Sequence, residues 1–176
     1  MAAVLNQLKE TIQTIPDFPK EGILFRDLTP VLTKPELCAA IIEELASRWT
    51  EADLDGVAGI ESRGFLFGMS LAGKLGVPFV PLRKVGKLPG ETFQTEYQLE
   101  YGSAVLEMQK NGVARGQHIL IHDDLLATGG TAVAASDLIS QAGGKVAGFS
   151  FLMELDYFAG REDLEEIAQV DSLISY

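Results

Sequence analysis

A single cysteine, Cys38, is all the thiol this chain has, so neither a disulfide framework nor a cysteine-rich metal site is open to it. Positive charge is scarce as well. Fourteen lysines and arginines stand against twenty-five aspartates and glutamates, a net charge of −11. With no basic stripe, non-specific nucleic-acid binding is excluded as a main activity. No apolar run approaches the roughly 20 residues that span a bilayer. The opening MAAVLNQLKETIQTIPDFP lacks a basic stretch followed by an apolar one, so no secretory signal is expected and a soluble, cytoplasmic protein is. Repeats, low-complexity tracts and long linkers are missing too. What remains is a globular composition, 47% hydrophobic and 22% charged over 176 residues. One domain over residues 1–176, with its own core, is expected at this length.

Strand-like and helix-like segments alternate, which predicts an α/β fold with a mostly parallel central sheet flanked by helices. A helix is expected over 33–50, with Pro35 in its first turn and Leu37, Ile41, Leu45 and Trp49 as its buried stripe. A strand at 56–60, a helix at 64–75 and a strand at 79–82 follow. From 83 to 98, Gly86, Pro89 and Gly90 break any apolar period, and a loop of that length in a compact domain is often a functional lid. Tyr97, Leu99 and Tyr101, then Gly102-Ser103, then Ala104, Leu106 and Met108 predict an antiparallel hairpin. A strand at 118–122, a helix at 131–142, a strand at 145–155, a helix at 160–168 and a strand at 172–175 complete the reading.

The chemistry concentrates at Ile119-Leu120-Ile121-His122-Asp123-Asp124-Leu125-Leu126-Ala127-Thr128-Gly129-Gly130-Thr131: an apolar strand, two carboxylates, a small-residue loop, then a helix. Ligands of open α/β sheets sit at the carboxyl ends of strands. Gly129 and Gly130 permit close backbone approach, the next helix presents N–H groups and a partial positive charge, and Thr128 and Thr131 add hydroxyls. Thr131 is also a candidate helix cap. The final lysine of a Walker A loop is missing, which argues against a triphosphate. Two carboxylates beside an anion site need something else to face, and sugar hydroxyls or a hydrated divalent cation supply it. A phosphorylated ribose is the ligand these residues point to.

That segment resembles the phosphoribosyl-pyrophosphate (PRPP) motif of type I phosphoribosyltransferases. Phe25-Arg26-Asp27, Gly59-Ile60-Glu61-Ser62-Arg63-Gly64-Phe65, Arg83-Lys84-Val85-Gly86-Lys87-Leu88-Pro89-Gly90 and Leu99-Glu100-Tyr101-Gly102 are similar to segments of the adenine phosphoribosyltransferase family, in that family's order. The resemblance implies the type I phosphoribosyltransferase fold, with a small N-terminal hood over about 1–30 and the hairpin forming a flexible loop. It implies adenine and PRPP as substrates, AMP and pyrophosphate as products, Mg²⁺ as cofactor, and a homodimer.

It also implies roles for individual residues. Asp123, Asp124, Ala127, Thr128, Gly129, Gly130 and Thr131 would bind the ribose and its 5′-phosphate. Ser62, Arg63, Arg83, Lys84 and Lys87 would hold pyrophosphate. Three of these cations fall within five residues of an acidic chain, a reversal of sign that suits an anion. Glu100 is the candidate acid or base at the purine, with Glu96 a weaker rival, and Tyr101 belongs to the flexible loop. Phe25 and Arg26 would bound adenine. Mg²⁺ would arrive on PRPP, with Asp123 and Asp124 as candidate protein ligands. His122 departs from the family, where an aliphatic residue is usual, and reads as a packing change. Cys38 reads as a small core residue, and the cluster Phe65, Phe67 and Met69 as packing. His118 and His122 have no metal-ligand spacing, and Glu162, Asp163, Glu165 and Glu166 read as a solvated helix face. A 6-oxopurine enzyme and a PRPP-sensing regulator are the alternatives; the second lacks a nucleic-acid-binding surface.

Overall fold

The computed structural model describes residues 2–98 and 103–176, so the expectations for Glu100 and Tyr101, and for Leu99 and Gly102 of the hairpin, lie outside the described residues. The chain divides into two compact units, Met1–Arg48 and Trp49–Tyr176. The first holds α1 (Ala2–Thr11), β1 (Gln13–Pro16), β2 (Leu24–Asp27), α2 (Thr29–Leu32) and α3 (Pro35–Ser47). Three helices pack together through buried Leu8, Val31, Leu37, Ile41 and Leu45. α3 is shorter at both ends than the predicted 33–50, and Pro35 does open it. β1 and β2 pair antiparallel with Thr14 opposite Arg26. In their connection the Asp17 carboxylate accepts the Gly22 N–H at 2.7 Å.

The second unit holds β3 (Gly56–Ile60), α4 (Gly64–Leu75), β4 (Phe79–Lys84), β5 (Thr92–Gln98), β6 (Ser103–Gln109), β7 (His118–Leu126), α5 (Gly130–Gln141), β8 (Lys145–Glu154), α6 (Gly160–Glu165) and β9 (Val170–Ser175). Its seven-stranded sheet runs β5-β6-β4-β3-β7-β8-β9. β4, β3, β7, β8 and β9 are parallel, and β6 joins β4 and β5 antiparallel, so the sheet is mostly parallel with an antiparallel edge, as expected. Ala58, Ile60, Ile119, Ile121, Phe149 and Phe151 meet Ala132, Ala135, Leu138 and Ile139 of α5 in the main core. α4 lies on the other face, where Gly68 lets it settle over Phe79 and His122. No helix among the described residues is long and apolar enough to cross a membrane.

The structure departs from the sequence expectations at five places. β7 runs on to Leu126 instead of stopping at His122, because β8 pairs alongside Asp123, Leu125 and Leu126 and outweighs the poor strand propensity of two aspartates. The predicted loop at 83–98 shrinks to 85–91: β4 continues through Lys84, and Thr92–Gln98 is a strand fully paired with β6. Ser103, read as turn, is a strand residue opposite Gln98. Thr131 does not cap α5; Gly129 occupies the cap position and no side chain bonds there. In the aromatic cluster Phe67 is buried, whereas Met69 is 64% exposed and contributes no core packing.

Candidate active site

β7 carries Asp123 and Asp124 to the carboxyl end of the sheet, between parallel neighbours β3 and β8. α4 starts straight after β3, and Gly64 in its first turn lies against β7: a Cβ there would come 2.8 Å from the His122 carbonyl and 2.9 Å from Asp123 Oδ1. The close approach brings Arg63 to Asp124, which is buried and ion-paired with it. Asp123 is half-buried, and its Oδ1 accepts the Asp124 N–H at 2.8 Å. Burial, then the neighbouring Asp124 charge, pushes the Asp123 carboxyl well up. Burial also raises Asp124, with Arg63 acting against it.

Beyond β7 the chain turns into α5 through Ala127–Gly129. Gly129 has φ +78°, a backbone conformation that L side chains rarely adopt. Behind it, Gly160 at the start of α6 touches the loop so closely that a Cβ would sit 2.2 Å from the Ala127 carbonyl and 2.7 Å from the Gly129 nitrogen. Arg161 anchors that contact by pairing with Glu154 at the end of β8. The loop residues Ala127–Thr131 wall a cavity of about 90 Å³ together with Asp123 and Leu125. The first-turn N–H groups of α5 have no intrahelical partner, so this wall can donate to an anion.

A second cavity of about 390 Å³ is walled by Glu61, Ser62, Arg63, Lys84, Lys87, Asp123 and Asp124. Its chemistry is cationic on the β4 side. Arg83 is not in its wall: Nε donates to Glu61 at 3.1 Å and Nη1 to the Lys87 carbonyl at 3.1 Å. Glu61 also accepts the Lys84 N–H at 3.1 Å and pairs with the Lys87 ammonium. Burial would raise the Glu61 carboxyl, but these donors outweigh it and hold it below its ordinary value. The Glu61–Ser62 peptide bond is cis. Asp123 is common to the walls of both cavities.

Of the other expected site residues, Phe25 and Arg26 lie on β2 in the first unit. Phe25 packs edge-on against Phe18 with ring centres 5.1 Å apart, and the Arg26 guanidinium donates to Thr14 Oγ1. Glu96 accepts from Ser103 Oγ across the hairpin. The sequence reading assigned no role to Glu61, Glu107 or Gly160. Nothing local signals Glu107 or Gly160, and Glu61 stands in a family-like segment without a role of its own, because the partners of all three come from distant parts of the chain.

A two-cavity site at the carboxyl end of a mostly parallel sheet is what a phosphoribosyl group with a second anion requires. The model of the phosphoribosyl transferase domain matches residues 31–173, and the chain belongs to that family. Within it the similarity is to adenine phosphoribosyltransferases. That of Cytophaga hutchinsonii is 47% identical over 175 residues, covering 98% of this chain and 97% of the relative. That of Gloeobacter violaceus is 50% identical over 169 residues, covering 96% and 99%. Among solved structures, adenine phosphoribosyltransferase from Thermoanaerobacter pseudethanolicus superposes with a TM-score of 0.94 at 48% identity, covering 98% of this chain and 99% of that one. The Saccharomyces cerevisiae enzyme, complexed with an imino-altritol bisphosphate and adenine, gives 0.92 at 44% identity, with 98% and 99% covered.

Proposed function

We infer that this chain joins adenine to the ribose of PRPP, giving AMP and pyrophosphate. The observation that carries the reading is Asp123 standing in the walls of both the Ala127–Thr131 cavity and the cavity that contains Arg63, Lys84 and Lys87. In this reading the 5′-phosphate lies on Ala127–Thr131, the ribose hydroxyls face Asp123 and Asp124, and the pyrophosphate enters the cavity of Ser62, Lys84 and Lys87. Cleavage of the bond from ribose C1 to pyrophosphate leaves positive charge on the sugar and negative charge on the departing group. In this reading the carboxylates face the first and the ammonium groups the second, and such preplaced charge is usually the largest catalytic term.

Mg²⁺ fits this donor set only as an ion carried by PRPP, since no cluster of three acidic, histidine or cysteine ligands occurs among the described residues and Asp124 is already paired with Arg63. When bound it would offset the negative charge of pyrophosphate, and Asp123 would be the protein carboxylate to hold it or its waters. Adenine N9 loses its proton as it bonds to C1, and Glu100 is the group we assign to proton transfer, with Tyr101, next in the chain, as part of the same flexible loop. Phe25 and Arg26 are assigned to the base. Homodimer formation in the cytoplasm completes the proposal, and exposed Leu66 and Met69 on α4 supply apolar surface for a second copy.

Absorbance assays with PRPP, Mg²⁺ and each purine in turn test the reading. AMP from adenine supports it; product from hypoxanthine but not adenine overturns it. Glu100→Gln should depress turnover far more than PRPP affinity, and an unaltered turnover number would remove Glu100 from proton transfer. A monomer in sedimentation would refute the dimer.

A further inference from the structure

Lys87 lies on the exposed loop 85–91, yet all three of its polar groups are held by residues at the sheet. Its ammonium meets Glu61, and its carbonyl accepts from Arg83. Its N–H donates to Glu107 Oε1 at 2.9 Å, beside the Leu88 N–H at 2.9 Å on the same oxygen. Glu107 is the unexpected member. Alternation along β6 sends Leu106 and Met108 into the core, so Glu107 belongs to the outward face, where a carboxylate is ordinarily solvated. It is nevertheless only 2% exposed.

The loop that folds over Glu107 supplies what water would have given. Besides the two main-chain donors, the Thr92 hydroxyl lies 3.3 Å from Oε2. Burial pushes the Glu107 carboxyl up, but these donors outweigh it and hold it below the ordinary value, so it is ionised at neutral pH. Strand pairing explains the choice of residue. Arg83 is directly opposite Glu107 on β4, and Gln94 directly opposite on β5. Arg83, Glu107 and Gln94 therefore form a cross-strand row on the face against which the loop lies.

We propose that Glu107 is a positioning residue for the transfer reaction: by clamping the main chain at Lys87 and Leu88 it holds the Lys87 ammonium in the wall of the cation-lined cavity. The inference rests on the assignment of that cavity to pyrophosphate. A loop ordered before substrate arrives need not be ordered at the expense of binding, and the ammonium is in place when charge develops on the leaving group.

The test compares Glu107→Gln, Glu107→Ala, Lys87→Ala and the double variant E107A/K87A. Each is measured for kcat and KM with PRPP, for pyrophosphate binding by titration, and for AMP binding by calorimetry. Glu107→Gln keeps the side-chain shape and one acceptor oxygen, so it serves if the alanine variant does not fold. Removing the clamp should raise KM for PRPP and weaken pyrophosphate about tenfold in Glu107→Ala and about threefold in Glu107→Gln, with AMP affinity unchanged. The double variant should be no worse than Lys87→Ala alone, because Glu107 acts through Lys87. Additive losses in the double variant, an equal loss of AMP affinity, or unchanged PRPP and pyrophosphate binding in both Glu107 variants would each overturn the proposal. Failure of the unmodified protein to make AMP would count against the reaction itself, and the pyrophosphate titration would still decide the clamp.

Discussion

Arg63 Nε stands 2.9 Å from Asp124 Oδ2, with the guanidinium side chain 41% exposed and the carboxylate side chain 2% exposed. The two ends of this pair are therefore unequal. Arg63→Ala leaves a buried carboxylate without its counter-charge and should cost on the order of 2 kcal/mol. Asp124→Asn leaves a guanidinium that already reaches solvent, and relieves the repulsion on Asp123, so its cost should stay below about 1 kcal/mol. Urea midpoints at unchanged m-value measure both, and equal or reversed costs would contradict the asymmetry. Asp123→Asn, at the side chain shared by both cavities, should instead raise KM for PRPP about tenfold.

Gly160→Ala tests the wall behind the phosphate loop. A methyl group placed 2.2 Å from the Ala127 carbonyl and 2.6 Å from the Thr128 carbonyl carbon must displace backbone, not a yielding side chain. Overpacking of this kind costs about 1–3 kcal/mol, and here the strain falls on the groups proposed to cradle phosphate. AMP affinity should fall about tenfold or more, since a misplaced loop loses several donors at once. Calorimetry with AMP reads this directly; undiminished affinity would mean the loop has room to move back without loss.

His122 makes the stability of the fold depend on acid. The ring is fully buried, which lowers its pKa to about 4 from an ordinary 6.5, with Ser150 Oγ 3.4 Å from Nδ1. Because the folded-state value is depressed, the native protein keeps this ring neutral while the unfolded chain takes up a proton below about 6.5. The stabilisation is fully present above that value and is lost as pH falls toward about 4. Between about pH 7 and about pH 5 the loss amounts to roughly 2 kcal/mol. His122→Leu should flatten the difference between urea midpoints at those two values by that amount, and a variant as acid-sensitive as the parent would show that other groups set the slope.

Lys84 and Lys87 wall the cation-lined cavity, whereas Arg83 braces Glu61 and the Lys87 carbonyl. Lys84→Ala should weaken pyrophosphate about tenfold and make its binding less sensitive to salt. Arg83→Ala should weaken binding with the salt sensitivity largely retained, as its charge is spent on Glu61. Titration of pyrophosphate across a salt series separates the two, and a shallower dependence in Arg83→Ala would place that guanidinium on the ligand.

Much of this arrangement was legible beforehand, for identifiable reasons. The strand Gly56–Ile60 and helix Gly64–Leu75 were read to the residue, since each is a continuous apolar or helix-forming run with clear breaks at its ends. The Ala127–Thr131 loop and the helix that follows it are legible because glycines, hydroxyls and a helix start are adjacent in the chain. The end of β7 was not, because its pairing partner lies on β8, beyond α5. Thr92–Gln98 was hidden by Gly86, Pro89 and Gly90 just before it. Glu107 looked like any outward glutamate of a strand, and only the fold-back of 85–91 buries it. Local pattern carries the elements and the loop; the acids that hold cations in place depend on contacts between distant segments.

The sheet order places the two proposed anion grips unequally: the Ala127–Thr131 loop follows interior β7, whereas the second cavity joins residues after β3 and on β7 to Lys84 and Lys87 at the β5-β6-β4 rim. The rim's share of that wall can thus be rebuilt, by grafting another hairpin or shortening its arm, with little disturbance to the proposed monophosphate seat in the middle. Diversification of leaving-group handling, natural or engineered, has an accessible margin in this molecule, whereas the central seat is hemmed in on both sides by neighbouring strands.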